Sequence, residues 1–201
     1  YMTISEQLLQ KVQREVPEVR KLHAVTMHVR RGDFKLYLDN YRVLDTTYYL
    51  TALDELEIDV EVVIVVTDDA DWCIENLIDN IPYKTILSPF SRTSNGELLD
   101  FILLYLGNNK ILANSSFSWW AAFLRQIHSN SAQKGNVIAP SPWYNPKGTL
   151  ARLNRRSFYP RSWKVLDTTH IVSHKQKTAG LDNLSSSAHK KRALQVSSID
   201  S

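Results

Sequence analysis

The 201-residue sequence predicts an α/β protein with a doubly wound, mostly parallel, Rossmann-like sheet. First, stretches with strand patterns alternate along the chain with stretches of helical periodicity. Second, the run VEVVIVVT (60–67) is continuously apolar and β-branched, which is typical of a parallel strand covered on both faces. Third, charged and hydroxyl residues directly follow most strand patterns, as expected where ligands bind at the carboxyl edge of such a sheet.

The patterns predict five strands and five helices. The strands are expected at 24–29, 60–67, 84–88, 110–114 and 136–140. The helices are expected at 4–15, 46–56, within 68–78, at 97–107 and at 118–127. Ser94 and Glu97 have the spacing of a capping box, and Gly107 suits a C-terminal cap. Asp68 or Asp69 is expected to cap the third helix.

The composition is that of a soluble globular chain, with 43% hydrophobic and 22% charged residues. No run of eighteen apolar residues occurs, so a membrane-spanning helix is not expected. The N-terminus lacks the basic flank and the apolar stretch of a signal peptide. The single cysteine, Cys73, excludes an intrachain disulfide and a cysteine-rich zinc site, and we expect it to be buried on a helix.

The net charge of +3 belongs to the C-terminal tail. Residues 171–201 contain five basic side chains against two acidic ones, so residues 1–170 sum to zero. The basic balance is therefore not a nucleic-acid signal. Because the tail is rich in Ser and Lys and poor in aromatics, it is predicted to be disordered or a linker after one domain at 1–170.

The stretch HVRRGDF (28–34) places two arginines just after the first strand. Arginine offers a fixed fork of donors that suits bidentate phosphate recognition. Because side chains alternate along a strand, Arg30 is predicted to face the ligand and Arg31 to pair with Asp33. A purely structural charge cluster is the first alternative. An RGD adhesion tripeptide is the second, and the neighbouring buried strand disfavours it.

The stretch ANSSFSWWAAF (113–123) joins the fourth strand to a helix. Free backbone N–H groups at a helix N-terminus, together with the helix dipole, form a phosphate site. The alternative is simple N-capping by a serine with Trp119 and Trp120 in the core. The physical arguments leave the two interpretations about even, with the three serines favouring a phosphate slightly.

Other candidate chemistry is weaker. Asp69 and Asp71 could hold a divalent cation beside a diphosphate, although helix capping is the favoured interpretation. The six histidines have no metal-ligand spacing. The absence of P-loop, GxGxxG and GxSxG motifs makes kinases, Rossmann dehydrogenases and α/β-hydrolases unlikely.

Three motifs in order resemble the α-1,2-fucosyltransferases of glycosyltransferase family 11. They are HVRRGDF, ANSSFSWWAAFL and VIAPSPWYNPKG, and the later FYPRSWKVLD is similar to the closing segment of that family. The resemblance covers residues 20 to 170. It implies one lobe of a two-lobed, GT-B-type enzyme, with much of the acceptor lobe absent from this chain. The implied reaction transfers fucose from GDP-fucose to the 2-hydroxyl of a galactoside, with inversion and without metal.

The resemblance also implies roles for individual residues. Arg30 would bind the β-phosphate and stabilise the leaving diphosphate. Arg31 and Asp33 would complete that part of the site. The alternative role for Asp33 is only to orient Arg31. His28 would approach the nucleoside and Asn114 the guanine. The phosphates would be wrapped by Ser115, Ser116, Phe117 and Ser118.

Several alternatives stay open at this point. The chain could be a GDP-sugar-binding module without turnover, or a related transferase with another sugar nucleotide or acceptor. The expected partners are GDP-fucose and a galactoside, with no cofactor, metal or nucleic acid. The expected location is cytoplasmic or peripheral to the membrane in a bacterium, or the Golgi lumen for a eukaryotic parent.

Overall fold

The structure is a computed structural model that describes residues 4–129 and 135–169. The predicted tail at 171–201 lies outside these residues. Six parallel strands form one sheet in the order β3-β2-β1-β4-β5-β6. The strands are β1 (Ala24–Val29), β2 (Val62–Thr67), β3 (Lys84–Leu87), β4 (Asn109–Ile111), β5 (Val137–Ser141) and β6 (Lys164–Asp167). The predicted Rossmann-like α/β fold is thus confirmed.

Five α-helices accompany the sheet within the described ranges. They are α1 (Glu6–Glu15), α2 (Thr46–Asp54), α3 (Ala70–Asn76), α4 (Glu97–Leu106) and α5 (Ser116–His128). Short 3₁₀ turns lie at Pro17–Arg20, Asp33–Leu36, Ile78–Asn80, Ala151–Leu153 and Arg156–Phe158. None of the helices in these ranges is long and apolar enough to cross a membrane.

The sheet is buried on both faces, which explains why strand β2 is apolar at each position from Val62 to Val66. Val63 and Val65 of β2 pack in the same cluster as the α2 and α3 side chains Tyr49 and Cys73. The alternate β2 residues pack on the other face with buried side chains of α1, α4 and α5. Cys73 is buried and free, as predicted, and burial raises the pKa of its thiol to about 11.

The strand order reverses between β1 and β4. The chain builds β1, β2 and β3 outward in one direction and then returns to add β4, β5 and β6 on the other side of β1. At such a switch point the connections leave in opposite directions and open a crevice beyond the carboxyl ends of the strands. The segments that begin at Arg30 and Asn114 both start there.

Two features at the ends of α4 were predicted, and one of them was wrong. The capping box at Ser94 and Glu97 does not form, because Asn95 adopts a left-handed φ of 64° and Gly96 becomes the N-cap without a side-chain hydrogen bond. A Cβ at Gly96 would lie 2.0 Å from the carbonyl oxygen of Phe90, so this close approach requires glycine. Gly107 is the C-cap of α4, as predicted, with a φ of −56°.

Other elements also differ from the sequence prediction, and strand β4, expected at 110–114, ends at Ile111. Strand β6 was not predicted, because this edge strand is exposed at Lys164 and Asp167 and only half-buried between them, so it lacks an apolar run. Helix α5 begins two residues earlier than predicted, at Ser116, because Ser115 serves as its N-cap.

Candidate functional site

A cleft of about 520 Å³ lies at the carboxyl edge of the sheet, where the strand order reverses. Its polar lining comes from the segments that follow β1 and β4 and from the 3₁₀ turn before β6. The lining residues are Arg30, Asn114, Ser115, Ser116 and Ser157, with Phe34, Tyr41, Trp119, Trp120, Trp143, Tyr144 and Phe158. Cationic, hydroxyl, amide and aromatic groups therefore face one space.

Arg30 lines this cleft, as predicted, but its ion pairs differ from the prediction. Its Nη2 lies 2.7 Å from Oδ1 of Asp33, and its Nη1 lies 3.0 Å from Oδ2 of Asp68. The prediction that Arg31 pairs with Asp33 was wrong, because the turn at Asp33–Leu36 brings this carboxylate to Arg30. The Arg30 side chain is 31% exposed.

Asp68 was expected at the carboxyl edge of the sheet and as a possible helix cap, but its pairing with Arg30 was not predicted. Besides its ion pair with Arg30, it accepts a hydrogen bond of 2.8 Å from the backbone N–H of Arg31. A Cβ on Gly32 would lie 2.5 Å from Oδ2 of Asp68, so a side chain at position 32 would force this carboxylate to shift. The strand register would have revealed this pairing, because Val29 of β1 lies opposite Thr67 of β2 and the residues that follow them are Arg30 and Asp68.

Arg31 has the structural role that was predicted, with different partners. Its side chain is 15% exposed, and its Nε lies 3.5 Å from Oδ2 of Asp69. Its Nη1 donates a hydrogen bond of 3.2 Å to the carbonyl of Leu44. The guanidinium carbon lies 3.6 Å from the ring centroid of Trp72, a cation–π contact. These contacts hold the guanidinium against α3 rather than in the cleft.

The carboxylates of Asp69 and Asp71 are both engaged by cations. Asp69 receives Lys35 at 2.8 Å, and Asp71 pairs with Arg92. Burial opposes ionisation of Asp69, but the hydrogen bond and charge of Lys35 prevail and lower the pKa of this carboxyl. Asp69 is the N-cap residue of α3, as expected, yet its side chain makes no capping hydrogen bond. The described part of the chain contains no cluster of His, Cys, Asp or Glu suited to a metal ion.

The serine turn before α5 divides into two parts. Ser115 is the N-cap, and its hydroxyl accepts a hydrogen bond of 3.3 Å from the N–H of Phe117. Ser116 is exposed and faces the cleft with it. Ser118 is fully buried, and its hydroxyl lies 3.3 Å from the carbonyl of Ser115 and 3.5 Å from that of Ala113. Ser115 therefore caps the helix, as one interpretation predicted, and the N-terminal end of the same helix still faces the cleft.

Asn114 presents one fixed acceptor to the cleft. The side chain is fully buried, and its Nδ2 donates to the carbonyl oxygens of Arg42 and Trp143 at 3.0 and 2.9 Å. Among the residues that the structure describes, its Oδ1 has no hydrogen-bond partner. A buried unpaired acceptor is costly, so this oxygen is suited to receive an N–H or O–H of a ligand.

His28 and Phe117 lie beneath the cleft rather than in its lining. The His28 ring is 3% exposed and lies 5.4 Å from the Phe117 ring, which also packs edge-on against Phe101. Burial, assisted by the charge of Arg30, lowers the pKa of His28 to about 3, so the imidazole is neutral. Neither side chain is among the residues that line the cleft.

The aromatic wall of the cleft was largely missed from the sequence. Phe34 and Tyr41 stack at 4.2 Å, and Tyr144 lies 5.8 Å from Tyr41. Trp119 is fixed by a hydrogen bond of 2.7 Å to the carbonyl of Phe158. Trp120, which the capping alternative placed in the core, is 51% exposed at the cleft.

Comparison with known proteins identifies the family. The family described as Glycosyl transferase family 11 matches residues 2–166. An alpha-1,2-colitosyltransferase of Escherichia coli is 29% identical over 157 residues, which are 72% of this chain and 48% of that protein. The O-antigen biosynthesis glycosyltransferase WbnK of Escherichia coli is 31% identical over 131 residues, 61% of this chain and 39% of that protein. The chain thus spans about half the length of these relatives or less. Because the family match covers most of its length, the chain belongs to glycosyltransferase family 11.

Proposed function

We propose that the chain is the donor-binding lobe of a GT-B-type α-1,2-fucosyltransferase. It would bind GDP-fucose and take part in inverting transfer of L-fucose to the 2-hydroxyl of a terminal galactose. The observation that carries the proposal is the pairing of Arg30 with the start of α5 across one cleft, at the switch point of the sheet. A guanidinium and a helix N-terminus both favour an anion.

The diphosphate would be held between these two groups. Arg30 would contact the β-phosphate, while Ser115 and Ser116 would approach the phosphates from the end of α5. As the sugar–oxygen bond breaks, negative charge grows on the leaving diphosphate. A fixed guanidinium stabilises that charge without reorganisation, which is the electrostatic role expected of a transferase site.

Asp33 would support this role as a partner of Arg30 that gives way to the ligand. Its side chain is 53% exposed, compared with 24% for Asp68. The more exposed ion pair is the weaker and the easier to exchange for a phosphate. Asp68 would then keep the guanidinium oriented while the diphosphate replaces Asp33.

The rest of the cleft suits a nucleoside and a sugar. The unpaired Oδ1 of Asn114 is an acceptor that could receive the N–H donors of guanine. The aromatic wall offers flat apolar surfaces for stacking. His28 would act from below, by supporting Phe117 and the turn, rather than by touching the nucleoside.

A metal-independent reaction is part of the proposal. The candidate carboxylates, Asp69 and Asp71, each have a cationic partner, which disfavours their use as ligands of a divalent ion. The cleft supplies its own cation in Arg30. Neutralisation of the diphosphate by protein groups is therefore the simpler arrangement.

Two alternatives have specific support. The name of the colitosyltransferase relative supports colitose as another donor sugar, and a different acceptor could accompany it. The coverage of about half the relatives' length supports a donor-binding module that needs a further segment for turnover.

Calorimetry with GDP, GDP-fucose, GDP-colitose, GDP-mannose and UDP-galactose tests the donor. We expect binding of GDP and GDP-fucose and none of UDP-galactose. Absence of binding by every guanine nucleotide would contradict the proposal. Tighter binding of GDP-colitose than of GDP-fucose would favour the colitosyl alternative.

Transfer of labelled fucose to lactose, with and without EDTA, tests turnover and the metal. We expect EDTA to leave the rate unchanged, and a loss restored by Mg²⁺ would overturn the metal-free part. Binding by this chain without transfer, beside transfer by a longer parent protein, would favour the binding module.

A further inference from the structure

A second cavity lies at the opposite, amino-terminal edge of the sheet. It has a volume of about 210 Å³ and lies between the starts of β4 and β5 and the last turns of α5. Its lining includes Lys110, Arg125, Gln126, Ser129 and Ser162. None of these residues lines the cleft at the carboxyl edge.

Two cations face this cavity without a carboxylate partner in the described ranges. Lys110 is 1% exposed, and its ammonium donates to the carbonyl of Gly107. Arg125 donates from Nη2 to Oδ1 of Asn108 at 3.0 Å. Over residues 4–129 and 135–169, neither cation takes part in a salt bridge. Burying a charge without an opposite charge is unfavourable, and a like charge beside it adds to the cost.

The lining also carries hydrogen-bond donors that have no acceptor in the part of the chain that the structure describes. Nε of Arg125 and the hydroxyl of Ser129 are buried and unpartnered there. The hydroxyl of Ser162 accepts a bond of 2.6 Å from Gln126, so its own proton is available to another acceptor. Burial, followed by the charge of Arg125, lowers the pKa of Lys110 to about 7. A lowered pKa is expected of a buried ammonium that has no negative charge beside it.

We propose that this cavity binds a single tetrahedral oxyanion of the phosphate class. The anion would accept hydrogen bonds from Lys110, Arg125 and Ser129 and would neutralise the two cations together. The volume suits it, because a water molecule occupies about 30 Å³ in the liquid and the cavity holds several times that. The site is separate from the cleft and does not depend on the function proposed there.

An amide NMR titration of the full 201-residue chain with sodium phosphate tests the site. Sodium chloride at matched ionic strength serves as the reference. We expect saturable shifts of the amides of Ser129, Gly135 and Asn136, and we expect the same shifts in an Arg30→Ala variant, whose cleft has lost its cation. Shifts confined to the turn at 115–117, or shifts that chloride reproduces, would overturn the proposal.

Matched variants assign the affinity to the two cations. Arg125→Gln removes the charge and keeps an amide donor for Asn108, and Lys110→Gln is the second variant. Each is expected to weaken phosphate binding about tenfold or more, the scale of a lost hydrogen bond between charged groups. Lys164→Gln is the control, because Lys164 lies at the same sheet edge but pairs with Glu55 and Glu57. Unchanged affinity in a folded Arg125→Gln or Lys110→Gln protein, or an equal loss in the control, would contradict the proposal.

Discussion

Asp68 holds Arg30 from the neighbouring strand, with Oδ2 of Asp68 lying 3.0 Å from Nη1 of Arg30. The second carboxylate oxygen of Asp68 accepts the backbone N–H of Arg31 at 2.8 Å. Asp68 therefore fixes both the side chain of Arg30 and the backbone that follows it. Asp33 binds the same guanidinium at 2.7 Å from a more exposed position. Asp68 is the more buried of the two partners, and Asp33 is the more exposed one, which a ligand would displace more easily.

Substitution of these two carboxylates is expected to change GDP affinity in opposite directions. Asp68→Asn should weaken GDP binding about tenfold, since Arg30 loses the charge-assisted bond that orients it. Asp33→Asn should strengthen GDP binding, because it removes the group that competes with the diphosphate. Calorimetry on both variants measures the difference, with thermal unfolding as the control for the fold. A similar loss of affinity in both variants would contradict the division of roles.

Substitution of Arg30 is expected to reduce activity, whereas substitution of the adjacent Arg31 is expected to reduce stability. Arg30→Ala should reduce turnover by ~10²–10³-fold, the scale of losing one donor that stabilises a transition state. Turnover is measured as the transfer of labelled fucose to lactose, the assay of the proposed function. A near-normal rate would show that Arg30 is not the catalytic arginine.

Arg31→Ala should act on the fold instead. It removes the contact with Trp72 and the hydrogen bond to Leu44, so we expect a loss of about 1–3 kcal/mol in the free energy of unfolding. Urea denaturation measures the loss, and calorimetry should find GDP affinity close to that of the unmodified chain. A large loss of affinity in a stably folded Arg31→Ala protein would place this arginine in the binding site.

A carboxylate at position 116 is expected to stabilise the helix and disable the site. Ser116 is the first residue of α5 and is exposed at the cleft. Ser116→Asp should raise the free energy of unfolding by about 0.3–1 kcal/mol, because an acid complements the positive end of the helix dipole. The same charge should repel a diphosphate and lower GDP affinity. Ser116→Ala is the matched neutral variant, and equal affinities for the two variants would argue against a phosphate at this helix end.

Sequence patterns predicted the structural features that show in the order of apolar and polar residues along the chain. The apolar run of β2 and the polar residues after β1 and β4 were sufficient to locate the sheet edge and Arg30. The partners of Arg30 depend on strand register and on a 3₁₀ turn, so its pairing with Asp68 was missed and Asp33 was assigned to the wrong arginine. Strand β6 escaped prediction because an exposed edge strand needs no continuous apolar pattern. The capping box failed because the left-handed Asn95 moves Ser94 out of the N-cap position.

Acid sensitivity of the fold is expected to depend on His28. Its pKa is about 3 in the folded protein and 6.5 for the free side chain, so the unfolded chain binds the extra proton between these limits. The contribution of His28 to the free energy of unfolding is therefore greatest above pH 6.5. It falls as the pH is lowered, by up to about 1.4 kcal/mol per pH unit. Asp100 has the opposite sign, because burial raises its pKa to about 6 and its contribution falls as the pH rises.

The two effects oppose each other between about pH 4 and 6, so a pH profile of the unmodified chain alone does not resolve them. Urea denaturation of the unmodified chain and of His28→Gln, compared pH by pH, isolates the histidine. As the pH rises from about 5 to 6.5, the free energy of unfolding of the unmodified chain should increase relative to that of His28→Gln. Above about pH 7 the difference between the two proteins should be constant. A difference that stays constant across this range would mean that burial does not lower the pKa of His28.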